Sequence, residues 1–164
     1  VADRAPETPA APAAGVFFWE IVMAALTITA TQVLLASGPT KYGTLGVAVT
    51  AGQSVYFDAT TGTWKLAQGD GSAAEAGADG YGIALNGGAA GQPVLIALPG
   101  AKVTLGAGAA PAAGVVYSPG DTAGSLCPPG DMGSTDKVLP LCIGTGSNAV
   151  KVLGEAYDAG AVIA

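Results

Sequence analysis

VTAGQSVYFDATTGTWKLA, residues 49–67, decides the fold class. Ser54 to Asp58 and Thr63 to Ala67 read as two strands. Both are rich in the β-branched and aromatic residues that suit a pleated, half-buried surface. Between them Ala59-Thr60-Thr61-Gly62 is a short hairpin loop, with Gly62 free to take a positive φ. Ala51-Gly52-Gln53 is the turn that leads in. Tyr56 and Trp64 lie on the two arms and are expected to face each other across the ladder.

Working outward, strand signals recur at close spacing. Thr44 to Thr50 alternates around Leu45, Val47 and Val49. Tyr81 to Leu85 and Pro93 to Leu98 form a pair joined by a glycine-rich loop, and residues 68–80 are a polar insertion. Lys102 to Leu105, Val115 to Ser118, Val138 to Gly144 and Ala149 to Ala156 complete the set. Many short strands between Gly turns predict an all-β fold, a small barrel or sandwich of antiparallel strands. A weak internal duplication runs through it. Ala51-Gly52 precedes Val55-Tyr56 as Ala113-Gly114 precedes Val116-Tyr117, about sixty residues later.

Upstream the character differs. Residues 1–15 are Pro/Ala-rich and read as an extended arm. Val16 to Leu26 is apolar but shorter than the roughly twenty residues a membrane span needs, and Glu20 interrupts it. Three readings stay open: a short helix that docks on a partner, a plug against the chain's own barrel, or upstream sequence with Met23 as the natural start. Leu26-Thr27-Ile28-Thr29-Ala30-Thr31-Gln32-Val33 alternates apolar residues with Thr and is expected to be a strand, ended by Ser37-Gly38-Pro39. The expected organisation is therefore an arm over residues 1–25, a binding strand over 26–38 and a β domain over 39–164.

Composition narrows function. Only 11% of residues are charged, 26 are glycine and the net charge is −6. So few charges suit surfaces covered by other subunits, although an alanine-rich proteome would give a similar profile. Lys41, Lys65, Lys102, Lys137 and Lys151 are scattered singly, without the concentrated positive footprint of nucleic-acid binding or of attraction to anionic membranes. The chain has no histidine, which removes the commonest general base and most catalytic zinc sites. Asp58, Asp70, Asp79, Asp121, Asp131, Asp136 and Asp158 sit in turn positions, where acids are usually solvated or cap the turn. No enzyme, metal or cofactor is expected. Cys127 and Cys142 are read as two reduced, partly buried thiols; a disulfide of that span would instead contribute about 3 kcal/mol. Tyr56, Trp64, Tyr81 and Tyr117 are read as core or subunit-interface residues, with a sugar-stacking platform as the functional alternative.

Taken in order, LTITATQV (26–33), TAGQSVYFD (50–58), GIALNGGAAGQPV (82–94) and GVVY (114–117) resemble tailed-phage head decoration proteins, the capsid cement proteins. The resemblance covers Met23 to Ala164. It implies small β-barrel subunits, commonly homotrimers, bound to the major capsid protein on the outer surface of the virion shell and lacking a catalytic site. The extension before Met23 and the Cys127-Pro128-Pro129-Gly130 segment depart from that pattern. Residues 26–33 would then grip the capsid by strand addition, and removing residues 1–38 would abolish shell binding while leaving the barrel folded. The alternative is a head-fibre domain that binds host-surface glycan or receptor through Tyr56, Trp64, Tyr81 and the 68–80 loop.

Overall fold

The computed structural model describes residues 25–154, apart from 73, 78 and 133–135. The chain order is β1 (Leu34–Ser37), β2 (Thr40–Thr44), β3 (Ser54–Asp58), β4 (Thr63–Leu66), β5 (Tyr81–Ala84), β6 (Pro93–Ala97), β7 (Lys102–Thr104), β8 (Val116–Pro119), β9 (Leu126–Cys127), β10 (Cys142–Gly146) and β11 (Ala149–Val152). Two 3-10 turns, Ala30–Gln32 and Pro129–Asp131, are the only helical pieces among the described residues. The strands form two antiparallel sheets, ordered β1-β7-β11-β10-β8-β9 and β2-β6-β5-β3-β4. Neither closes into a barrel, and the arrangement is that of a sandwich.

The two-residue period of the strands distributes side chains between two cores. Ile83 and Ala97 pair across β5 and β6 and face the six-stranded sheet, where they meet Val103, Val150 and Val152. The next pair, Ala84 and Ile96, faces the other way and joins Val55, Trp64, Val94, Leu45 and Val49. The five-stranded sheet is thus covered on both faces, the second by its own curl. Leu45 and Val49 reach into that curl from the loop after β2. A single parallel bridge joins Leu45 to Trp64 of β4.

The sheets share a corner. β1 and β2 are nearly continuous, as are β6 and β7, and both pairs pass from one sheet to the other at the same place. Leu98 N–H donates to Pro39 O across the bend. Gly38 has φ 108°, and a Cβ there would collide with the Ala101 backbone. The sheets also repeat one strand order: β2-β6-β5-β3-β4 in one, β7-β11-β10-β8-β9 in the other. Tyr56 pairs with Tyr81 as Tyr117 pairs with Cys142, about sixty residues on. β1 stands outside this repeat.

Three expectations are corrected. Residues 26–33 are not a strand: they run irregularly into the 3-10 turn Ala30–Gln32, and β1 begins at Leu34. Residues 44–50 form no strand beyond Thr44. Their alternation is real, with Leu45 and Val49 buried, but Gly46 N–H turns to Trp64 O and Val49 pairs with Gly88, so the stretch is a loop lining the curl. Tyr56 does not face Trp64. The hairpin register sets Tyr56 opposite Lys65 and Phe57 opposite Trp64, because a one-residue offset exchanges sheet faces. Phe57 and Trp64 meet with ring centroids 5.5 Å apart.

The hairpin end is held by Asp58. It accepts from Thr60 N–H, Thr61 Oγ1 and Lys65 Nζ, the last at 2.6 Å. The Lys65 bond first, and the Thr61 hydroxyl next, hold its carboxyl well below the usual carboxylate range.

Two outcomes are expected. Gly38→Val should lower the urea midpoint by the equivalent of about 3 kcal/mol, from backbone strain and overpacking at the corner. Asp58→Asn should lower stability at pH 7. The folded carboxyl titrates below its unfolded value of about 3.9, so its contribution is complete above that value and is lost as pH falls. The stability gap between the Asp58→Asn variant and the native chain should therefore close as pH drops below about 4 in a urea titration series.

Candidate interaction surface

Chemistry-bearing groups are sparse. Among the described residues no three of His, Cys, Asp and Glu are grouped to hold a metal ion. No described helix is long and apolar enough to cross a membrane. Asp136 is buried rather than solvated, a departure from the turn reading. The hydrogen bond with Asp136 first, and burial next, raise the Asp121 pKa.

The cysteines sit apart. β9 and β10 flank β8, with Cys127 opposite Ser118 and Cys142 opposite Tyr117. Two strand spacings separate them by about 9.6 Å, beyond the roughly 7 Å that a disulfide tolerates between Cα atoms. Adjacent Tyr117 and Ser118 point to opposite faces, so the two thiols do as well. Both are buried and outside any disulfide among the described residues, and burial pushes the Cys142 thiol far up.

The four aromatics singled out by sequence are all buried within the single chain. Tyr81 Oη donates to Leu153 O, and Tyr117 Oη accepts from Ala112 N–H. Trp64 is 3% exposed, with its indole over Gly43. Tyr56, Trp64 and Tyr81 therefore present no open stacking platform. Trp64 and Tyr81 do contribute to the wall of a small cleft of about 230 Å³, with Lys41, Phe57, Asp79, Gly80, Leu98 and Pro99.

The 26–33 segment is a strap and not a free edge. Leu26 N–H donates to Leu126 O, Thr29 N–H to Leu105 O, and Gln32 Oε1 accepts from Ala107 N–H. Leu26 and Ile28 pack on the main core, and Val33 is buried. Residues 26–38 also include β1, which pairs with β7. Removing residues 1–38 would strip the core, so this stretch is not separable from the domain. Residues 1–24 lie outside the described residues.

What remains exposed is the stretch just downstream. Leu34 (66%), Leu35 (39%) and Tyr42 (78%) are the large apolar side chains left open to solvent among the described residues. All three stand on β1 and β2, which are edge strands of the two sheets. The alternating run ends at Val33, one element earlier, and neither Leu34-Leu35-Ala36-Ser37 nor β2 carries an apolar alternation. No family model and no curated protein matches the chain.

In the native state neither thiol should react with a chromogenic disulfide reagent within minutes, and both should react in denaturant. Equal electrophoretic mobility with and without reductant is expected; a faster unreduced band would overturn the free-thiol assignment.

Proposed function

We propose that the chain is a structural virion protein, a decoration or cement subunit that binds the outside of an expanded phage capsid. The observation that carries the reading is the exposed apolar edge formed by Leu34, Leu35 and Tyr42 on β1 and β2. The ordered segments that resemble head decoration proteins support it, as does a sequence without histidine and with few charges.

In this reading β1 meets the major capsid protein along its open edge, with Leu34 and Leu35 as apolar anchors and Tyr42 as a separate anchor on β2 past the corner. Burying one such leucine is worth about 1.5–2 kcal/mol, or roughly 10- to 30-fold in affinity. A homotrimer would present three copies of the edge, so modest single contacts become strong binding by effective concentration. A subunit that binds only the expanded shell stabilises it by mass action. Bridging neighbouring capsid subunits makes rupture under internal pressure require breaking its contacts too.

The full chain should co-sediment with expanded, protein-shelled particles and raise their heat resistance. Leu34→Asp/Leu35→Asp and Tyr42→Ala should each bind at least tenfold more weakly, with unchanged melting temperature because these side chains are exposed. Undiminished binding by both variants would remove β1 and β2 as the contact.

A further inference from the structure

The five-stranded sheet has an unfilled seam. β2 and β4 are its edges and run parallel, joined at one end by the Leu45–Trp64 bridge and by Gly46 N–H to Trp64 O at 2.8 Å. Leu45 N–H donates to Gln92 O and Gly91 N–H to Leu45 O, so the odd residues of β2 direct their backbone groups to the β6 side. By alternation, Thr40 and Tyr42 turn theirs to the open edge, while Thr44 already meets Trp64 at the bridge. Towards the start of β2 the edges diverge, and the 230 Å³ cleft lies there. It is smaller than a typical small-molecule site and has room for one large side chain.

The cleft has a largely apolar wall, one cation and one carboxylate. Phe57, Trp64, Tyr81, Leu98 and Pro99 line it with Lys41, Asp79 and Gly80. Lys41 Nζ stands 5.5 Å from the Phe57 ring centroid and has no ion-pair partner among the described residues. The repeated strand order adds a second argument. Beside β7, the counterpart of β2, an extra strand is present: β1. Beside β2 no described strand takes that place.

The chain's own sequence holds a complement. In Phe18-Trp19-Glu20-Ile21-Val22, alternate residues are Phe18, Glu20 and Val22. Paired as an extended segment with β2, these three share one face, placing a carboxylate near Lys41 between two apolar side chains. The same molecule reaches its own slot poorly. Leu26 is fixed on Leu126, at the end of the sandwich where β3 begins, whereas the cleft lies where β3 ends. Four residues from Val22 to Leu26 reach at most about 14 Å. The height of β3 alone uses nearly all of that.

We propose that the seam between β2 and β4 receives residues 18–22 of a second copy. The added segment extends the sheet along Thr40 and Tyr42, fills the cleft with an apolar side chain and sets Glu20 against Lys41. This self-association does not rest on the capsid reading.

Sedimentation velocity on the full chain tests it. The native chain should self-associate, and removing residues 1–22 should yield monomers that retain the native melting temperature. Glu20→Lys and Lys41→Glu should each weaken association at least tenfold, and the double exchange should restore most of it. A monomeric native chain, association that survives removal of residues 1–22, or single exchanges without effect would overturn the proposal. On a Trp19→Phe background, which leaves Trp64 as the sole tryptophan, a monomer in which removal of residues 1–22 shifts the Trp64 fluorescence would overturn the second-copy assignment in favour of the chain's own arm.

Discussion

Trp64 lying against Gly43 is the contact on which the five-stranded sheet depends. A sheet with one face on its partner normally leaves the other to solvent. Here the second face carries Val55, Val94 and Ile96, and it is buried only because the sheet curls until β2 reaches β4. The indole fills the space inside the curl. It can do so because position 43 has no side chain; a Cβ there would collide with the ring. Gly46 has the same role one step on, where a Cβ would meet Thr63 Oγ1, and its N–H then closes on Trp64 O. One large residue and two absent side chains thus produce a second core in a chain with few aromatics.

The rest of the sandwich follows the same economy. The corner between the sheets needs Gly38 against Ala101, and a Cβ on Gly144 would meet the Ala112 carbonyl. Close backbone approach replaces bulky packing, which accounts for a glycine content that composition alone left ambiguous. The cost is that such places tolerate no substitution, whereas Gly62 and Gly91, with open space around them, serve only their turns.

The β class, the 54–66 hairpin and the pairing of 81–84 with 93–97 were legible because each strand alternates within a few residues of a glycine turn. The repeat was legible only as Ala-Gly before Val-Tyr, since the shared feature is strand order and not residue identity. The register of Tyr56 and Trp64 was out of reach, because it is set by the exact pairing of Asp58 with Thr63. The strap failed for a different reason. Leu26 and Ile28 alternate as a strand would, but their burial comes from packing on the end of the sandwich. Their backbone bonds go to single carbonyls on separate elements, Leu126 and, through Thr29, Leu105. Periodicity reports which side chains are buried, not what the backbone pairs with. The exposed edge was missed for the same reason: β2 carries Thr, Lys, Tyr, Gly and Thr, which holds no apolar alternation to read.

Natural sheets guard their edges with shortness, bulges, proline or inward charges. β9 has two residues, and β4 is met at Trp64 by the loop after β2. β1 has a register shift between Leu35 and Ser37, and Pro39 follows it. Those devices limit which strands can pair there without hiding Leu34 and Leu35. On β2 the single guard is Lys41, which faces inward over Phe57. An inward lysine penalises any apolar strand added beside it, because its charge would lose water with Asp79 of the same cleft beyond ion-pair distance. It does not penalise a strand that brings a carboxylate to the same level. The guard against indiscriminate pairing is therefore also a selector, and it favours an acidic, otherwise apolar segment over the Thr- and Tyr-bearing edge of β2 itself.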